Sequence, residues 1–203
     1  MRKWLCITFL FLIGHLCRGG GFTGHIHPGI SWGYSAKLLA FHHYNYLDNS
    51  IGFRIDDQQW TTSFTSNAFV QGSISFDLTR RLQSSVLCGY VGIAPGRTIV
   101  PVSIRFAFYP RYSFEDGMFY FVQSGVFFRK KASEIPSYGF LGGTGYRIML
   151  ASWLSLDLHG GISFTYDRPP VWDPLEETFI PKSNIRRNDA WYCSLNLGIS
   201  LVF

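Results

Sequence analysis

The side chains with chemistry to offer are few, and their spacing limits what they can do. His25 and His27 stand at i, i+2, with His42 and His43 further on. On a strand, His25 and His27 share a face and could hold part of a metal site. Such a site wants a third or fourth ligand, and none is evident, so no metal and no cofactor are expected. His159 stands near Asp157 and Ser163, residue types used by hydrolases and acyltransferases. A working dyad needs contact at about 3 Å, whereas four positions along a strand span roughly 13 Å. His159 and Ser163 therefore cannot serve each other, and no catalytic residue is assigned. Asp77, Arg105, Arg147 and Asp157 fall on four different segments. Buried charges must be paired or they are costly, so these four, with His159, form a candidate interior network: a salt-bridged plug or the wall of an ion path.

Strands must position these groups. No helix-length stretch after residue 20 places apolar residues at i, i+3, i+4 and i+7; period-two alternation recurs instead. It is clearest in Leu154–Asp167, where Leu154, Leu156, Leu158, Ile162, Phe164 and Tyr166 oppose Ser155, Asp157, His159, Ser163 and Thr165. The last segment is as clean: Trp191, Cys193, Leu195, Leu197, Ile199, Leu201 and Phe203 oppose Tyr192, Ser194, Asn196, Gly198 and Ser200. Six further strands are expected near Ile26–Tyr46, Phe69–Thr79, Leu82–Ile93, Thr98–Tyr109, Met118–Arg129 and Tyr138–Leu150, the third and fifth of the series ambiguous in phase. Long connections are expected at Leu47–Ala68 and Arg168–Asp189, with shorter ones at Arg80-Arg81, Ala94–Arg97 and Ala151–Trp153 and intermediate ones at Pro110–Gly117 and Lys130–Ser137, so the alternation of lengths is imperfect. An even number of strands puts both termini on one side and the two long loops on the other. Cys88 and Cys193 fall on strands that are not neighbours in such a ring, so no disulfide is expected.

Composition decides which face points outward. The chain is 47% hydrophobic, 18% aromatic and only 15% charged. The polar face carries Ser, Gly and a few ions, among them Lys37, too few for the outside of a soluble protein. It suits the narrow interior of an eight-stranded barrel, which side chains can fill. The apolar face is large and carries rings near strand ends (Trp32, Tyr109, Tyr138, Tyr166, Trp191, Phe203), as aromatic girdles at membrane interfaces require. The expectation is an all-β, eight-stranded, antiparallel, up-and-down transmembrane barrel over residues 21–203. Residues 1–20 read as a secretory signal peptide: Arg2 and Lys3, then an apolar run from Trp4 to Leu16, about 20 Å as a helix and short of a bilayer span. Three of the 18 Lys and Arg lie in the first 18 residues, leaving 15 basic against 13 acidic groups. So balanced a remainder argues against nucleic acid as a partner.

The chain ends in Phe203, preceded at alternate positions by Leu201 and Ile199, with Gly198 in the same strand. That ending resembles the C-terminal signal by which outer-membrane barrels are recognised for assembly, and Gly198, Leu201 and Phe203 are its matching positions. The expected chain is similar as a whole to small eight-stranded outer-membrane barrels of the OmpA, OmpX and OmpW type, especially the porin-family barrels of Bacteroidota. The resemblance implies the outer membrane of a Gram-negative bacterium, contact with its lipid and lipopolysaccharide, and the barrel-assembly machinery as a partner during insertion. It names no ligand. Three functions stay open: a structural or surface-interaction role through the external loops, a narrow pore for small solutes, and a lipid A-modifying enzyme. The last long loop carries Trp172 and Phe179 among prolines and charges, a candidate contact surface since loops on a rigid scaffold carry function.

Overall fold

A computed structural model describes residues 26–48, 52–94, 97–129, 136–173 and 177–203. Residues 1–20, expected as a signal peptide, and His25 lie outside them. Eight long strands meander antiparallel and close on themselves: β1 (Ile26–Leu47), β2 (Arg54–Asp77), β3 (Leu82–Ala94), β4 (Arg97–Phe108), β5 (Gly117–Arg129), β6 (Ser137–Ala151), β7 (Leu154–Asp167) and β10 (Ile185–Val202). Each strand pairs with its predecessor, and β10 pairs with β1 to shut the ring. Between β7 and β10 lies a small hairpin, β8 (Trp172–Asp173) and β9 (Thr178–Phe179), followed by a 3-10 turn at Lys182–Asn184.

The apolar faces point outward. Leu197 is 60% exposed, and Leu195, Ile199, Val102, Ile104, Phe106, Leu158, Ile162 and Phe164 are exposed beside it. The lumen receives Ser31, Ser75, Ser85, Ser103, Ser155 and Ser200, all buried. Across β6, β7 and β10, Tyr138, Tyr166 and Trp191 stand in register as one row of rings at the loop end. At the other end Trp153 stacks on Phe203, whose amide donates to the Pro28 carbonyl at 2.8 Å. That bond ties the carboxyl end of the chain to the start of β1.

The lumen is less polar than the sequence implies. The β5 run FYFVQSGVFF has rings on both faces, so alternation could not set its phase. Register sets it: Phe119, Phe121 and Gln123 point inward, Tyr120 and Val122 outward. Tyr109, expected among the outer rings, also turns inward and packs with Ala107, Phe119 and Phe121. Glycines on β6 make room for these rings. A Cβ at Gly145 would lie 2.4 Å from Phe119 Cζ, and one at Gly143 2.8 Å from Phe121 Cζ. Ring and glycine face each other across the strand pair, a pairing that covers bare backbone with aromatic surface.

Two boundaries differ from the sequence reading. The expected long loop at Leu47–Ala68 is mostly strand: β1 and β2 remain paired up to Leu47 opposite Arg54. β10 likewise starts at Ile185 rather than near residue 190. β2 pairs with β3 only from Phe69, and β10 with β7 only from Ala190. Arg54–Ala68 and 185–189 therefore pair with β1 alone, and the three strands rise above the ring as a fin. Its β2 half mixes Gln58, Gln59, Thr61 and Thr62 with the exposed rings Trp60 and Phe64, and so lacks the alternation that marks a half-buried strand.

Candidate functional site

The lumen is the site, and it is built in tiers. At the end near the chain termini, the β2–β3 turn is held by Thr79, whose Oγ1 accepts the amides of Arg81 (3.2 Å) and Leu82 (3.0 Å). A hydroxyl that mimics backbone fixes such a turn. Just above, Asp77 is bonded through His27 Nε2 at 3.0 Å and accepts from Gln83 Nε2 at 3.0 Å. Tyr109 donates to Gln83 Oε1 at 3.3 Å.

The next tier closes the barrel. Arg147 is 1% exposed and Asp157 6%; they face each other across β6 and β7. The guanidinium donates through Nε and Nη2 to the two carboxylate oxygens, each at 2.7 Å. Its Nη1 donates to the Ser113 carbonyl at 2.6 Å. Ser113 belongs to the 109–116 connection, which folds into the opening and bonds by its amide to Arg80 O at 3.0 Å. The Arg147 guanidinium also lies 4.6 Å over the Tyr109 ring. Paired, hydrogen-bonded on all three nitrogens and capped by a ring, the charge is fully compensated. Together with Phe119 this tier forms a stopper.

Above the stopper, Arg105 lies 4.7 Å over the Phe121 ring and donates through Nε (3.0 Å) and Nη2 (2.8 Å) to Gln123 Oε1. Gln123 in turn donates to Ser103 Oγ at 2.8 Å. His159 is 7% exposed; its Nδ1 is 3.5 Å from Ser200 Oγ, and its ring meets Phe121 edge-on. The remaining space is a cavity of about 80 Å³ between these groups and Lys37. Lys37 Nζ lies 5.6 Å over the Tyr192 ring.

Of the expected set Asp77, Arg105, Arg147, Asp157 and His159, only Arg147 and Asp157 bond to each other directly; Gln83 and Tyr109 link them to Asp77, and Arg105 and His159 meet at the Phe121 ring. Asp77 goes to His27, Arg147 to Asp157, and Arg105 to Gln123, while His159 makes no ion pair among the described residues. Ser163 is taken by Asn196, which donates to its hydroxyl at 2.8 Å. The sequence reading missed Gln123, Tyr109 and Ser113, none of which carries a charge pattern to flag it. Only the inward phase of β5 and the inward fold of a turn reveal them. Cys88 and Cys193 are both free. Gly198 faces inward, where a Cβ would meet His159 Nε2 at 2.7 Å.

At the loop end, Trp172 and Phe179 sit on β8 and β9 with centroids 5.0 Å apart, edge to face, both exposed. The neighbouring Val171 and Ile180 are buried, and Asn188 donates to the Pro169 carbonyl at 3.1 Å. The hairpin is therefore anchored by one side and presents its two rings on the other. Burial pushes the Asp189 carboxyl up, but hydrogen bonds from Tyr166 and Arg187 outweigh it and leave the group below its ordinary range. On the fin, the bond from His43 holds Asp56 low.

No family model matches the sequence, and no curated protein matches it. Solved structures of similar fold include the outer membrane protein OprG from Pseudomonas aeruginosa, at 12% identity and TM-score 0.48, covering 87% of this chain and 95% of that one. Another is the outer membrane protease OmpT from Escherichia coli, at 10% identity and TM-score 0.41, covering 92% of this chain and 99% of that one. Likenesses this low carry nothing about residue roles or activity.

Proposed function

We propose that the chain is an integral outer-membrane barrel, shut to solutes at its periplasmic end, that works through the surface it presents at its loop end. The observation that carries this reading is the stopper: Arg147, Asp157, Tyr109 and the 109–116 connection fill the lumen next to the termini, while the opposite half stays hollow. An outward wall of exposed Val, Ile, Leu and Phe favours lipid over water, since contiguous apolar surface of this extent is not left wet on a soluble monomer. Val100 to Phe108 spans eight steps, about 27 Å along the strand, which at a tilt of about 40° covers roughly 20 Å of an apolar band about 25 Å tall. The long 168–184 connection and the paired extension of β1 and β2 both lie at the end opposite the termini, so the fin and the Trp172–Phe179 hairpin face outside the cell.

The pore reading needs a continuous path, and the stopper interrupts it. The lipid A-modifying reading needs a base or nucleophile on the outer wall, whereas His159 lies on the inner wall, away from acyl chains. Purified protein reconstituted in planar bilayers should give no conductance steps even at high protein input. Regular single-channel steps from the unaltered protein would replace this reading with the pore.

A further inference from the structure

We infer that the hollow upper half of the lumen is a binding site for a small free oxyanion, of the phosphate or carboxylate type, held between Lys37 and Arg105. Both side chains line the same cavity of about 80 Å³, and among the described residues no carboxylate lines it. The acids elsewhere in the lumen are engaged: Asp77 by His27 and Gln83, Asp157 by Arg147, and Asp167 at the rim by Ser137. Arg105 spends Nε and Nη2 on one neutral amide oxygen of Gln123, which leaves its charge unneutralised by that partner. Lys37 has only the Tyr192 ring. Among the described residues, neither cation has a carboxylate partner.

This contrasts with Arg147 one tier below, whose charge is compensated on every nitrogen. A cation in an enclosed space without a counter-ion bonded to it is costly. A dissolved anion entering from the loop end can supply the missing charge. The volume admits a head of a few heavy atoms. The barrel wall separates it from the surrounding lipid, so the occupant is a free solute and not a lipid headgroup. Lys37 serves as a compact point charge and Arg105 as a planar donor already oriented by Gln123 and Phe121.

The test is isothermal titration of the full-length protein, refolded in a nonionic detergent at low ionic strength, with inorganic phosphate and, separately, with acetate. One saturable site is expected for at least one of them, and the preferred anion names the source. Lys37→Gln and Arg105→Gln should each weaken that site at least tenfold, while Arg54→Gln on the exposed fin should leave it unchanged. Heat-modifiable gel mobility reports whether each variant has closed its barrel. Should Arg105→Gln fail to close, Lys37→Gln decides alone, because Lys37 makes no hydrogen bond that folding depends on. Absence of saturable uptake of either anion overturns the inference. So does unchanged affinity in a closed Lys37→Gln or Arg105→Gln barrel, or an equal loss in Arg54→Gln.

Discussion

Replacing Arg147 with Ala should be the most damaging single change in the lumen. The substitution strands the Asp157 carboxylate, 6% exposed, without the two 2.7 Å bonds that compensate it. It also leaves the Ser113 carbonyl without its donor and uncovers the Tyr109 ring. Removing one member of a buried ion pair costs about 3–5 kcal/mol, and a buried carbonyl left unsatisfied costs about 1–3 kcal/mol by itself. These losses share one cavity and do not add, so about 3–5 kcal/mol is expected in total. With a urea slope of about 2 kcal/mol per molar, the unfolding midpoint of protein refolded into lipid vesicles should fall by about 2 M. Arg147→Gln combined with Asp157→Asn should be clearly milder than the sum of its parts, because no bare charge remains. The same opening of the stopper should give Arg147→Ala conductance steps in planar bilayers. A midpoint that moves by less than the equivalent of about 1 kcal/mol, with the bilayer still silent, would refute the assignment of Arg147 as the keystone.

Gly143→Ala should destabilise by about 1–3 kcal/mol through overpacking, since its Cβ would sit 2.2 Å from the Gly160 carbonyl oxygen and 2.8 Å from Phe121 Cζ; unchanged urea stability would contradict the ring-on-glycine packing. Cys88 is free and outward-facing, so in vesicles it should react with a lipid-soluble maleimide and resist a membrane-impermeant one; rapid labelling by the impermeant reagent would place that wall in water. The carboxyls of Asp56 and Asp189 are held below their ordinary value of 3.8. Their contribution to the fin is therefore complete above that value and lost as pH falls through the lowered one. Protection of the β1–β2 extension against hydrogen exchange, taken relative to intrinsic exchange at each pH, should stay constant from neutral pH down to about pH 4 and fall only below it; a loss of protection attributable to these carboxyls at higher pH would contradict the two clamps.

Alternation along Leu154–Asp167 and along the final strand was enough to establish strands with one oily and one wet face, because side chains on a strand take opposite sides whatever the fold. Composition then assigned the sides, since few ions on the wet face suit an enclosed space and not a soluble surface. Three things needed the closed ring. The phase of β5 is one, because rings stand on both of its faces and only pairing with β4 and β6 turns Phe119 and Phe121 inward. The fin is another: a segment solvated on both sides carries no hydrophobic period, and its strand state rests on backbone pairing with β1. The last is which charge meets which. Asp77, Arg105, Arg147 and Asp157 all point into the lumen by sequence parity, but their height depends on register, which no local pattern encodes. Register set Arg147 opposite Asp157 and Arg105 opposite Gln123, so a uniform set of interior ions became an ion-paired stopper below and an amide-bound arginine above.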